Sequence, residues 1–239
     1  MLDFGYYNMD CMDGMKEFPD KYFDLAIVDP PYGGGFTESG GCQGWFAKYN
    51  QRNQEAENFN RFGGRFDKYK KEDDEGKKVI DWDVAPPKEY FDELFRISKN
   101  QVIWGGNYFA LPPTRCFLVW RKLTISDQFT MAMAEYAWTS FNSNAKVFEK
   151  APQDKTRFHP TQKPVDLYKW VLSNYANDGD LILDTHVGSA SSLIACEDMG
   201  FKYVGFEIDE AYYNKGKERL DNHKAQISII DMMADWRLP

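Results

Sequence analysis

Leu181-Ile182-Leu183-Asp184-Thr185-His186-Val187-Gly188-Ser189-Ala190-Ser191 reads as a short buried strand, a carboxylate at its end, a turn of small residues and the start of a helix. Gly188 permits close approach of the backbone to a ligand, and Ser189 with the amides that follow opens a helix N-terminus, where donors stand unpaired. The pattern continues with a helix from about Ser191 to Met199, a strand at Tyr203 to Phe206 and a helix from Glu210 to His223. Strand, helix, strand, helix predicts an α/β fold with a parallel sheet covered on both faces. Glu207 ends the second strand, 23 residues after Asp184. There a carboxylate can accept both hydroxyls of a ribose. Taken singly, Asp184 is equally a strand-end cap and Glu207 a solvated terminus, and it is their pairing that points to an adenosine-bearing cofactor. The turn has one glycine where the G-x-G-x-x-G dinucleotide pattern has three, which disfavours a pyrophosphate and NAD. Asp184 would face a positive part of the ligand, an amino-acid ammonium or a sulfonium, and S-adenosylmethionine carries both. Asp209, just before the last helix, reads as its N-cap, and a lone histidine such as His186 is more often packed than catalytic.

Working back from this segment, Tyr168, Val171, Leu172 and Tyr175 after Pro164 mark one face of an amphipathic helix. Strands at Cys116 to Trp120 and near Met133 to Thr139, the latter continuing as a hairpin to Ala145 to Phe148, would form an antiparallel flank of the sheet. Gln101 to Trp104 reads as a buried strand, preceded by a helix with Tyr90, Phe91, Leu94, Phe95 and Ser98 on one face. Residues 33 to 80 lose all period and are punctuated by glycine pairs, the mark of a long functional or mobile excursion. At the N-terminus, Phe4 to Asn8 and Tyr22 to Val28 read as strands around a short helix at Met12 to Phe18. The whole is expected to be one domain over residues 1 to 239, with an insertion at about 33 to 80 and a short tail at 224 to 239.

The second chemical signal follows the apolar run Leu25 to Val28, which ends in Asp29-Pro30-Pro31-Tyr32. Each proline lacks an N–H and fixes φ near −65°, while Asp29 and Pro30, each preceding a proline, are pushed toward extended geometry. The segment therefore offers only acceptors beside a flat ring, the combination that grips an exocyclic amine while stacking on its heterocycle. The plainer alternative is a proline-rich passage from strand to loop.

Composition sets the bounds. Hydrophobic residues make up 43% and aromatics 16%, ample for a core, and no apolar run approaches the roughly 20 residues needed to cross a bilayer. The N-terminus lacks a basic region followed by an apolar stretch, so a cytoplasmic location is expected, without membrane attachment. Cys11, Cys42, Cys116 and Cys196 are scattered, with no C-x-x-C, which argues for reduced thiols and against zinc or a disulfide framework. The net charge of −8 argues against a nucleic-acid partner as a whole, yet residues 48 to 78 hold nine basic against seven acidic side chains.

Asp29-Pro30-Pro31-Tyr32, His159-Pro160-Thr161-Gln162-Lys163-Pro164, the Asp184 turn and Glu207 in Val204-Gly205-Phe206-Glu207-Ile208-Asp209 occur in that order. Together they resemble the beta-order DNA amino-methyltransferases, most of all the adenine-N6 enzymes. The likeness extends to Trp104-Gly105-Gly106-Asn107-Tyr108-Phe109 and Ala137-Trp138-Thr139-Ser140-Phe141, and so to nearly the whole chain. It implies a circularly permuted, Rossmann-like S-adenosylmethionine-dependent methyltransferase fold, a mixed and mostly parallel sheet with helices on both faces. It implies double-stranded DNA as partner, transfer to adenine N6 after base flipping, and no covalent enzyme intermediate. A homodimer is compatible with it, although no apolar interface can be read from the sequence.

By the same resemblance Asp29 and the Pro30 carbonyl accept from the target amine and Tyr32 stacks on the base. Thr161 and Lys163 would contact the cofactor from the loop before a covering helix. Asp184, Gly188 and Ser189 would line its methionine and ribose, Glu207 its ribose hydroxyls, and Asp10 its adenine. Thr185-His186 stands where many relatives have Pro-Phe, and Ala190 where a further glycine is common. Cytosine-N4 methylation, or a silent protein of this fold that binds DNA or cofactor, are the alternatives. A cytosine-C5 route would need a Pro-Cys, and the four cysteines follow Asp10, Gly41, Arg115 and Ala195.

Overall fold

The computed structural model describes residues 1–33, 71–72, 78–79, 84–126, 132–152 and 156–235. The excursion at 33 to 80, Cys42 and the basic stretch at 48 to 78 therefore lie almost wholly outside the described residues. By their internal contacts the residues form two compact units, Met1–Asp29 with Glu89–Pro239, and Pro30–Lys88. In the second unit β3 (Lys71–Glu72) pairs antiparallel with β4 (Lys78–Val79).

The first unit is built on β1 (Gly5–Asn8), β2 (Phe23–Val28), β5 (Ser98–Trp104), β6 (Phe117–Arg121), β7 (Ala134–Thr139), β8 (Lys146–Glu149), β9 (Leu181–Asp184) and β10 (Lys202–Glu207). These eight strands lie in the order β1-β10-β9-β2-β5-β7-β6-β8. The five from β1 to β5 are parallel, and β7 joins β5 antiparallel. The first strand lies along β10, the last strand of the sheet in sequence, with Asn8 opposite Glu207, as a permuted fold requires.

Alternation along β2 sets the layers. Leu25 and Ile27 pack with α3 (Val165–Tyr175) and α4 (Ser191–Met199) through Leu167, Val171, Leu193 and Ile194. Ala26 and Val28 face the other way, toward α1 (Cys11–Lys16) and α2 (Lys88–Ile97), with Met15, Tyr90, Phe91 and Leu94. Helices thus cover both faces of the parallel sheet.

Three local expectations change. The strand expected to pair with β7 as a hairpin instead lies parallel to β6, because β7 already has β5 on one edge and β6 on the other. β5 begins at Ser98 with no loop after α2, and the Ser98 hydroxyl closes the helix by donating to the Leu94 carbonyl at 2.5 Å. The supposed tail is mostly helix, since α5 runs from Glu210 to Asp235. Among the described residues no helix is long and apolar enough to cross a membrane.

From β9 the chain proceeds through α4 to β10 on one side, while β5 lies beside β2 on the other. Their shared carboxyl ends form a topological switch point, where open α/β sheets take ligands. Asp184 ends β9, Glu207 ends β10, and Asp29 follows the last residue of β2.

Candidate active site

Asp184 is 2% exposed and its carboxylate accepts from the backbone N–H of His186 at 3.0 Å and from the Ser192 hydroxyl. Both donors are neutral, and no ion pair of Asp184 occurs among the described residues. Burial pushes its pKa up to about 7, against the two hydrogen bonds and with the added repulsion of Asp29 and Glu207. A buried carboxylate held by neutral donors suits a cationic group.

Glu207 is fixed through the backbone: one oxygen accepts from Gly188 N–H at 2.8 Å and the other from Asp209 N–H at 2.9 Å. Burial raises its pKa, with these N–H donors opposing. Each carboxylate oxygen has a second lone pair for a ligand hydroxyl. Asp209 is the N-cap that its position suggested, accepting from Ala211 N–H at 2.8 Å and Tyr212 N–H at 3.1 Å.

The turn between Asp184 and α4 is held close by Gly188, whose φ of 55° lies in the left-handed region. A Cβ there would stand 3.3 Å from the His159 ring. Gly188→Ala is expected to cost about 1–2 kcal/mol from the backbone alone and to displace His159. Urea denaturation would read both effects together as a lowered midpoint. Ala190 also has a left-handed φ, 61°, so alanine in the place of a glycine carries roughly 1 kcal/mol of strain. Ser189 is buried, its carbonyl accepting from Arg219 at 2.7 Å and its hydroxyl meeting that of Ser191 at 3.1 Å.

His159 lies buried against Tyr212, ring centroids 4.3 Å apart, and burial lowers its pKa to about 3, with Lys163 adding to the shift. The neutral ring accepts at Nδ1 from Thr161 N–H at 3.4 Å, with the Thr161 hydroxyl 3.2 Å away. Thr161 thus caps His159 while remaining exposed. Asp10, two residues past β1, is the N-cap of α1 and accepts from Met12 N–H at 2.7 Å.

Lys163 has carboxylate partners that its motif alone does not suggest. Expected beside the cofactor, it is 3% exposed and its ammonium pairs with the Asp29 carboxylate and, at 3.1 Å, with Glu135. Glu135 in turn pairs with Lys122 at 2.5 Å. The first unit thus joins Lys163 to Asp29 and Gly188 to Glu207, and its parallel strands carry Asp29, Asp184 and Glu207 to one edge of the sheet. Pro30 and Tyr32 belong to the second unit.

Sequence reasoning missed Ser192, Glu135, Lys122 and Tyr90. A charge inside a short apolar strand, as in Ala134-Glu135-Tyr136-Ala137, is a usable signal, since such residues are seldom buried unpaired. Tyr90 meets the Thr185 hydroxyl at 2.6 Å, and Thr185 meets His186 Nδ1 at 2.9 Å. Thr185-His186 therefore builds a packed polar network in place of Pro-Phe, with burial lowering the His186 pKa to about 4.

A sequence profile of the N6/N4 DNA methylases matches residues 68–218. The chain belongs to that family. The Escherichia coli (strain K12) protein YubD is 23% identical to it over 251 residues, covering 96% of each chain. The DNA adenine methyltransferase YhdJ of the same strain is 38% identical over 68 residues, which cover 28% of this N6/N4 methylase and 23% of YhdJ. Among solved structures, the M1.HpyAVI–SAM complex superposes with a TM-score of 0.54 at 18% identity, covering 90% of this methylase and 98% of that chain. The cytosine-N4-specific PvuII DNA methyltransferase gives 0.53 at 11%, covering 93% and 92%. These likenesses establish the permuted methyltransferase fold.

Proposed function

We propose that this N6/N4 methylase transfers a methyl group from S-adenosylmethionine to the N6 amine of adenine in double-stranded DNA. The observation that carries the reading is the convergence of Asp29, Asp184 and Glu207 at the carboxyl ends of adjoining parallel strands. The cofactor fits the donor set. A buried carboxylate with neutral partners receives the cationic methionine end, a left-handed glycine allows close approach, and Glu207 retains lone pairs for ribose hydroxyls. Ser189 continues this lining, Asp10 at the start of α1 serves the adenine, and Thr161 acts through the loop that orders His159. Binding of S-adenosylmethionine to M1.HpyAVI supports the assignment. When bound, the cofactor supplies an electrophilic methyl group.

The chain's own work is done on the amine. The N6 lone pair is delocalised into the ring, and hydrogen bonds from its N–H groups to Asp29 and the Pro30 carbonyl favour the pyramidal nitrogen that reacts. Such bonds to a charged acceptor contribute roughly 1.5–3 kcal/mol each, and alignment of the reactants adds a proximity term. As the nitrogen gains positive charge Asp29 stabilises it and takes the departing proton. The base must leave the duplex at a cost of a few kcal/mol, which stacking on Tyr32 offsets in part.

An aspartate rather than a serine at position 29 favours adenine over cytosine, as does the local match to YhdJ. Methylated duplex digested to nucleosides is expected to contain N6-methyladenine. N4-methylcytosine in its absence would replace the adenine reading by the cytosine one.

A further inference from the structure

We propose that Lys163, Glu135 and Lys122 form a buried charge chain that holds the Asp29 carboxylate ionised and aimed at the target amine, Lys163 being a positioning residue for methyl transfer. The inference rests on the reading of Asp29 as the amine's acceptor.

Four side chains of alternating sign are joined in series. Asp29 pairs with Lys163, Lys163 with Glu135 at 3.1 Å, and Glu135 with Lys122 at 2.5 Å. Their side chains are 11%, 2%, 23% and 9% exposed in that order. Each comes from a different place in the fold: the end of β2, the loop before α3, β7 and the residue after β6. Two indole rings stand beside the cations, Trp104 with its centroid 5.6 Å from the Lys163 ammonium and Trp120 at 5.1 Å from that of Lys122. Burying such groups costs desolvation that an apolar cluster of equal volume would avoid, so the fold alone gives little reason for the chain.

The site supplies a reason. Asp29 and Asp184 repel one another, and Tyr90 from α2 and Tyr168 from α3 also sense the Asp29 charge. A negative charge in the same site raises the pKa of a carboxylate and so favours its protonated form. A protonated Asp29 could not accept from both the amine and Lys163, nor take the departing proton. Lys163 places a cation on the Asp29 side, which favours an ionised Asp29 whether Asp184 holds its proton or, with a cationic ligand beside it, has lost it. Burial opposes the Lys163 ammonium, yet Asp29 and Glu135 raise its pKa above the ordinary value. Burial likewise opposes Glu135, which Lys163 and Lys122 together bring down to about 2. Sharing Lys163 between two carboxylates keeps it from neutralising Asp29, and Lys122 keeps Glu135 charged so that the sharing persists. The chain is thus tuned at both ends.

The test compares wild type, Lys163→Met, Lys163→Arg, Glu135→Gln and Asp29→Ala. Single-turnover transfer of labelled methyl to unmethylated duplex DNA is followed from about pH 5 to pH 9, with cofactor affinity measured by calorimetry. Lys163→Met is expected to lower transfer at neutral pH by about 100-fold, with a rate that recovers as pH rises and a cofactor affinity within about threefold of wild type. Lys163→Arg should restore most of the rate. Glu135→Gln keeps the shape of the site should Lys163→Met fail to fold; it should move the acid limb of transfer to lower pH, because Lys163 then falls wholly to Asp29. Unchanged pH profiles in Lys163→Met and Glu135→Gln would overturn the proposal, as would a large loss of cofactor affinity in Lys163→Met with no change of profile. Wild-type transfer by Asp29→Ala would instead overturn the reading of Asp29 and the chain's purpose with it.

Discussion

Asp29→Ala is expected to lower single-turnover methyl transfer to duplex DNA by about 10³-fold or more while leaving the affinity for S-adenosylmethionine nearly unchanged. Two losses combine: a charged hydrogen bond to the amine, roughly 1.5–3 kcal/mol, and proton acceptance at a positioned group, typically worth 10²–10⁴-fold. Asp29→Asn separates them. An amide keeps an acceptor beside Lys163 but carries no charge and takes no proton, so its rate should fall between those of wild type and alanine. Stability must be followed in parallel, because alanine leaves the buried Lys163 with Glu135 alone. Equal transfer by wild type and Asp29→Ala would remove Asp29 from the chemistry. No transfer by wild type, with tight cofactor binding, would favour the silent reading of the fold.

The geometry of the proposed cofactor half is legible in the sequence because its parts are contiguous. Asp184, Gly188 and the start of α4 lie within one strand, turn and helix, and Glu207 ends the next strand, so period alone places both carboxylates at one edge of the sheet. The surroundings of Asp29, the proposed amine acceptor, are legible only in part. Asp29 announces itself by the prolines after it, but its partner Lys163 lies 134 residues away and Glu135 comes from an antiparallel strand. Nothing in a single sequence pairs these three. The motif around Lys163 points to the cofactor, and the fold in addition pairs its ammonium with Asp29 just past β2. The place of β8 is hidden for a similar reason: period 2 identifies a strand but not its neighbour, and β7 has no free edge. Asp10 and Thr161 each engage a nearby backbone N–H or ring nitrogen, a local role that short polar side chains take readily and that spacing does not separate from ligand binding.

Cofactor affinity is expected to rise with pH up to about 7 and then level, and Asp184→Asn to abolish that dependence while weakening binding by roughly 10- to 150-fold. The ordinary aspartate pKa is about 3.9, and in the folded protein burial raises that of Asp184 to about 7. The free fold therefore holds a proton that the unfolded chain has lost. Its stability is greatest at low pH with respect to this group and falls as pH rises from about 4 through about 7, with Glu207 contributing in the same direction. A cationic ligand beside Asp184 favours the ionised form, so binding below pH 7 must expel the proton. Titrations in two buffers of different ionisation enthalpy would register that release in wild type and its absence in Asp184→Asn. Removing the charge also removes its burial cost, so free Asp184→Asn should unfold at a higher temperature than free wild type at pH 8 but not at pH 5, values that bracket the shifted pKa of about 7. Saturating S-adenosylmethionine should reverse the order at pH 8, because only wild type gains the ion pair. Wild-type affinity in Asp184→Asn would place the cofactor's charge elsewhere, and an unchanged thermal order at the two pH values would show that Asp184 meets solvent in the free protein.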